Sequence, residues 1–159
     1  MSFNMRLIFD TEGDGLREEC TQLWCIVTKD IDTNEVRQFY GDTLEDGIHY
    51  LATADYLSGH NCIGYDIPVL KRLYNFEYSG ELFDTLVVSR LLNPDRPLPR
   101  GWKGKKRPHS VEAWGMRFGR AKPEHEDWSK FSMDMLHRCT EDVEIQFLIY
   151  QELLKEMQK

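Results

Sequence analysis

Leu7-Ile8-Phe9-Asp10-Thr11-Glu12 is a short apolar run that stops abruptly in two carboxylates one residue apart. Leu7, Ile8 and Phe9 suit a strand buried on both faces, with Asp10 at or near its carboxyl end. Side chains alternate along a strand, so Asp10 and Glu12 project to the same side, close enough to share one divalent cation. An oxygen-lined half-site of that kind suits magnesium or manganese. The same residues also fit a bland acidic turn, Glu12-Gly13-Asp14-Gly15, after a strand end. Further carboxylates in apolar surroundings would decide between the two.

The bulk properties limit the choice. The 159 residues read as a single domain, 1–159, with no linker, internal repeat or low-complexity tract. A composition of 41% hydrophobic and 30% charged residues belongs to the globular class. No apolar run is long enough for a bilayer and no leader pattern opens the chain, so a cytoplasmic location with no membrane partner is expected. Cys20, Cys25, Cys62 and Cys139 lack metal-site spacing and read as reduced thiols. A net charge of −7 speaks against a passive nucleic-acid binder, though not against an enzyme that carries its own cations. The basic residues are unevenly spread: Arg96, Arg100, Lys103, Lys105, Lys106 and Arg107 fall in one stretch without an acid. That stretch fits a phosphate contact, and equally a solvated loop.

Taken in order, Gln22 to Thr28 reads as a second strand and Glu35 to Tyr40 as a third, forming an antiparallel meander with the first. Thr43 can cap a helix over Leu44 to Ala54, and Tyr56 to Gly59 is a fourth strand. Ile63, Ile67, Leu70 and Tyr74 recur at helical spacing, with Pro68 in the first turn. Asp66 stands at the entrance of that helix. Alone it would be a cap, but the apolar residues around it make a bare carboxylate costly, and a metal would offset the cost. Leu82 to Thr85 reads as a brief strand running into a helix to Leu92, with Asp84 its structural cap. His109-Ser110 then opens a helix from Val111 to Phe118, in which Trp114 is a core residue.

From Ser129 onward, Leu136, Cys139, Val143, Phe147, Tyr150, Leu154 and Met157 keep a three-and-four spacing that predicts one long amphipathic helix. Asp142 breaks its apolar border, with no arginine expected to reach it locally. His137 stands five residues earlier. On a helix that is a rotation of about 140°, so His137 would flank Asp142 without sharing its face.

The joint pattern is D-x-E ending a strand, an aspartate after Asn61 near a helix start, and H-x-x-x-x-D on the last helix. It resembles the DEDDh branch of the DnaQ-like 3′–5′ exonucleases, with Asp10, Glu12, Asp66, Asp142 and His137 at the matching positions. Gly59-His60-Asn61 to Pro68, Asp84 to Leu91 and His109 to Gly115 also resemble the proofreading domain of bacteriophage family-A DNA polymerases, here expected to stand without a polymerase domain.

The resemblance implies an α/β, ribonuclease H-like fold: a central mixed sheet, its first three strands antiparallel and the later ones parallel, flanked by helices. It also implies two divalent cations, Mg2+ or Mn2+, held by the four acids, with His137 as general base and single-stranded DNA as preferred partner. Asn61 and Leu16 would hold the 3′ end, with Lys103, Lys105 and Lys106 as basic contacts. A separate polymerase chain is a candidate partner.

Two positions depart from the pattern. Arg138 stands where such polymerase domains carry a tyrosine, and Gly13-Asp14 where histidine-using proofreading subunits often have two threonines. An RNA or short-oligonucleotide exonuclease and a non-catalytic polymerase accessory subunit fit the same residues.

Overall fold

Strand β1 (Arg6–Gly13) pairs on both sides, antiparallel with β2 (Leu23–Asp30) and parallel with β4 (Tyr56–Gly59). The computed structural model, which describes residues 4–120 and 125–159, continues the sheet outward. Strand β3 (Val36–Tyr40) lies antiparallel to β2, and β5 (Glu81–Asp84) parallel to β4, giving the order β3-β2-β1-β4-β5. This is the mixed sheet that the resemblance implied. Strand β2 runs two residues past the expected end, where Asp30 still pairs with Leu7.

The apolar run of β1 fills both faces of the sheet. Leu7 and Phe9 pack against Leu51 of α1 (Leu44–Thr53) and Leu70 of α2 (Ile67–Tyr74). Ile8 faces the other way, onto Leu136, Cys139 and Val143 of α5 (Met133–Met157). All three β1 side chains are fully buried, and burial of each contributes roughly 1.5–3 kcal/mol. Helix α5 is the long amphipathic helix expected, opened by Ser132, whose hydroxyl accepts from the Met135 amide at 3.2 Å. Met157, however, is 53% exposed, because the helix runs out at its carboxyl end. Two short helices, α3 (Thr85–Leu92) and α4 (Val111–Arg117), complete that layer, with Trp114 in the core against Ile145, Ile149 and Leu153. All four cysteines are buried and unbridged. No helix among the described residues is long and apolar enough to cross a membrane.

Between β4 and α2 the chain makes a single π-helical turn, Cys62–Asp66, opened by Asn61 at φ 63°. Asparagine is among the few residues that enter the left-handed region readily. The wider turn shifts the helical phase, so Ile63 is 52% exposed instead of joining the apolar stripe of Ile67, Leu70 and Tyr74.

Asp84 anchors this turn and caps α3 at once. Its Oδ1 accepts from the amides of Asn61 (2.9 Å), Leu86 (2.9 Å) and Val87 (3.3 Å), and its Oδ2 from that of Ile63 (3.0 Å). The structural role expected for Asp84 is therefore found, and it extends further than one helix. Replacing a buried carboxylate that serves four amides costs about 2–3 kcal/mol in Asp84→Ala, with Asp84→Asn recovering part of it. Urea unfolding of the two variants measures this, and a loss below about 0.5 kcal/mol in Asp84→Ala would show that the network does not hold the turn.

Candidate active site

The carboxyl end of β1, the Cys62–Asp66 turn and the second and third turns of α5 meet at a cleft of about 300 Å³. Asp10, Glu12, Asp66 and Asp142 all line it. Asp10 and Glu12 are half-buried, whereas Asp66 and Asp142 are only 3% and 4% exposed. The four acids singled out in the sequence are thus brought to one place from three elements.

Asp10 and Glu12 project to the α5 side of the sheet, as strand alternation requires. There they meet Cys139: one ligand atom from each of Asp10, Glu12 and Cys139 lies within 4.8 Å of the other two. The Cys139 thiol donates to Asp10 Oδ2 at 3.5 Å, and burial raises its pKa well above that of a free thiol. The sequence marked Cys139 only as a core residue. Its position three before Asp142, hence on the same helix face, is the signal that points to the cleft.

Asp66 is not a helix cap. Its carboxylate receives no amide of α2 and instead accepts a hydrogen bond from the Thr11 hydroxyl, which β1 turns toward the opposite face from Asp10. Burial pushes its pKa up to about 7, opposed by the Thr11 bond. The acid is held where its charged form lacks solvent, so a cation in the cleft would supply what water cannot.

Asp14 has a different role. Its side chain takes the Thr21 hydroxyl and the Thr21 amide (2.7 Å), and the hydroxyl bond draws its pKa down to about 2. It closes the loop between β1 and β2. A Cβ on Gly13 would come 2.6 Å from Cys20 Sγ, which explains why glycine precedes it. The Gly13-Asp14 departure is therefore loop closure.

His137 does not line the cleft. It is exposed on α5, and half-buried Arg138 lines the cleft instead, its guanidinium 4.9 Å from the centre of the Trp128 ring. The rotation of about 140° between positions five apart accounts for the first fact. Arg138, one turn before Asp142, lines the same cleft.

Trp128, also absent from the sequence candidates, is tied to β2 by the Trp24 indole, which donates to its carbonyl at 2.9 Å. Tyr65 is the phenol in the cleft. Burial raises its pKa and its hydroxyl donates to the Gly15 carbonyl at 2.7 Å, so it is no base at neutral pH.

Leu16, 75% exposed, stands with Glu12, Tyr65 and Trp128 at a second cavity of about 370 Å³ that continues the first. Asn61 lies on the opposite rim. Lys105 and Lys106 line a groove beyond it, whereas Lys103 falls outside that lining.

No family model matches the chain. The DNA-directed DNA polymerase of Escherichia phage T7 is 28% identical over 190 aligned positions, covering 94% of this chain and 27% of the polymerase. The chain therefore spans about a quarter of that relative. Among solved structures, an apo nuclease superposes with a TM-score of 0.71 at 18% identity, covering 96% of this chain and 72% of its own. Exonuclease I of E. coli in complex with a dT13 oligonucleotide gives 0.67 at 16% identity, covering 98% and 42%. A zinc-bound form of the exonuclease I–ssDNA complex gives 0.62 at 16%, covering 99% and 41%. The sequence similarity to the phage polymerase and the fold shared with these nucleases support the likeness to DnaQ-like 3′–5′ exonuclease domains.

The buried Asp66 sets a pH dependence. Its native pKa of about 7 lies above the unfolded value near 3.8, so over that interval the native state binds more protons than the unfolded state. Stability in EDTA should fall as pH rises from about 4 to about 7 and then level off. Urea midpoints across this range check it for wild type and Asp66→Asn, in which the decline should disappear. A decline of equal size in both would assign it to other groups.

Proposed function

We propose that this chain is a metal-dependent 3′–5′ exonuclease that hydrolyses single-stranded DNA from the 3′ end to 5′-mononucleotides. The observation that carries this reading is the gathering of four carboxylates, two of them buried, along one cleft at the end of β1. The exonuclease fold and the polymerase homology support it. The polymerase homology also supports a separate polymerase chain as protein partner.

The donor set is all hard oxygen apart from Cys139, which fits Mg2+ or Mn2+. Asp10, Glu12 and Asp142 would hold one ion, Asp10 would share a second, and Asp66 would serve directly or through water. When bound, such a pair would polarise the scissile phosphate, activate the attacking water and offset the repulsion between the acids and the substrate.

The remaining work falls to the chain. Leu16 and the apolar cavity beside Trp128 accommodate the terminal nucleoside, and Asn61 holds its backbone. Water attacks the terminal phosphorus and the 3′ oxygen of the preceding nucleotide leaves. His137 takes the proton from the water in this reading, after the amino-terminal turns of α5 rearrange to turn it inward. Met133 and Asp134 are exposed there, whereas buried Met135 and Leu136 would have to repack.

Incubation of 5′-labelled and 3′-labelled DNA and RNA strands with Mg2+ or Mn2+ tests the reading. A stepwise ladder from the 3′ end, absent in EDTA and in a folded Asp10→Ala variant, is expected, with DNA cleaved faster than RNA. His137→Ala should lower kcat by about a hundredfold, within the range for loss of a general base. No metal-dependent cleavage of any strand would overturn the activity, and an unchanged kcat in His137→Ala would remove the histidine from it.

A further inference from the structure

The basic stretch noted in the sequence does not hang free. Lys105, Lys106 and Arg107 line a groove of about 580 Å³, and Arg90 of α3 joins them from a different part of the chain. All four side chains are exposed, and none takes part in an ion pair among the described residues. Glu112 is the one acid in the lining. On a chain of net charge −7, this groove is a local excess of positive charge.

The backbone that carries these cations is fixed from behind. His60 Nε2 donates to the His109 carbonyl at 2.7 Å, while its Nδ1 accepts from the Thr85 hydroxyl at 2.8 Å. His109 is itself buried and takes the Ser89 hydroxyl on Nδ1 at 2.8 Å. Arg117 Nη2 donates to the Pro108 carbonyl at 2.6 Å, and the Ser110 hydroxyl to the Arg107 carbonyl at 2.9 Å. A solvated linker would have no such anchors. The side chains stay free to meet a ligand while their attachment points are held.

Position gives the groove its meaning. His60, Asn61 and Val111 line both the acidic cleft and the basic groove, so the two are continuous. On the other side the cleft shares Glu12, Tyr65 and Trp128 with the apolar cavity at Leu16. A strand whose last nucleoside enters the apolar cavity and whose last phosphate lies among the carboxylates must leave over Asn61.

We propose that Arg90, Lys105, Lys106 and Arg107 form a backbone clamp for the phosphates on the 5′ side of the scissile bond of a single strand. The clamp rests on the nuclease reading and adds a direction and a length requirement to it. It contacts phosphates, so it is indifferent to base sequence. It also draws a polyanion toward a cleft whose own acids repel one.

The test compares wild type with the combined variant Arg90→Ala, Lys105→Ala, Lys106→Ala, Arg107→Ala on dT2 and dT10, between 50 and 200 mM NaCl. For wild type the KM of dT10 should lie well below that of dT2, and the variant should lose that length advantage by tenfold or more. The slope of log affinity against log salt for dT10 should become shallower by about 2 to 3, at roughly 0.7 for each phosphate that the variant no longer neutralises. Retention of the length advantage, or an unchanged salt slope, would overturn the clamp. Anisotropy titration of labelled dT10 in EDTA reads the groove without cleavage. Loss of dT10 binding in the variant, with no cleavage by wild type, would sustain the clamp and overturn the nuclease reading.

Discussion

Asp66 and Asp142 are carboxylates placed in surroundings that disfavour charge, next to Asp10 and Glu12, and the rest of the structure depends on keeping them there. Like charges in a cleft push apart, and burial adds the cost of lost hydration. The fold resists through contacts on three elements. Thr11 reaches across the strand to Asp66, and Cys139 donates to Asp10. Asp84 gathers four amides to hold the turn that carries Asp66. A cation in the cleft would offset that repulsion and lost hydration, which is the physical basis of the proposed metal dependence.

The same arrangement divides the surface. Acid is concentrated where β1 ends, and positive charge where the segment after Pro94 returns toward α4. His60 stands at the border, tied to both α3 and the basic segment through Thr85 and His109. One imidazole with both nitrogens bonded thus ties the acidic cleft to the groove. Under the proposed function, binding and chemistry would fall to separate residues, so affinity could be tuned in the groove without adding charge to the cleft.

Much of this was legible in the sequence because it follows from local rules. The apolar run of β1, the spacing along α5 and the cap at Asp84 each need only a few neighbouring residues to interpret. What escaped depends on three dimensions. Asp66 has the position of a helix cap, and only the approach of Thr11 from another strand shows that it is none. Ile63 fitted an apolar stripe until a π-helical turn shifted its phase. His137 and Arg138 are neighbours in sequence, yet one helical step sends the first to solvent and the second into the cleft. Arg90 joins the basic groove from a helix about fifteen residues away, so no local charge count could include it.

The central claim is that these four carboxylates hold divalent cations against a 3′-terminal phosphate. Anomalous diffraction from crystals soaked in Mn2+ with the mononucleotide product dTMP tests it most directly. Manganese peaks are expected within ligand distance of Asp10, Glu12, Asp66 and Asp142, about 3.5–4 Å apart where two are present, beside the product phosphate. Manganese bound elsewhere, with these acids still held only by their protein partners, would contradict it.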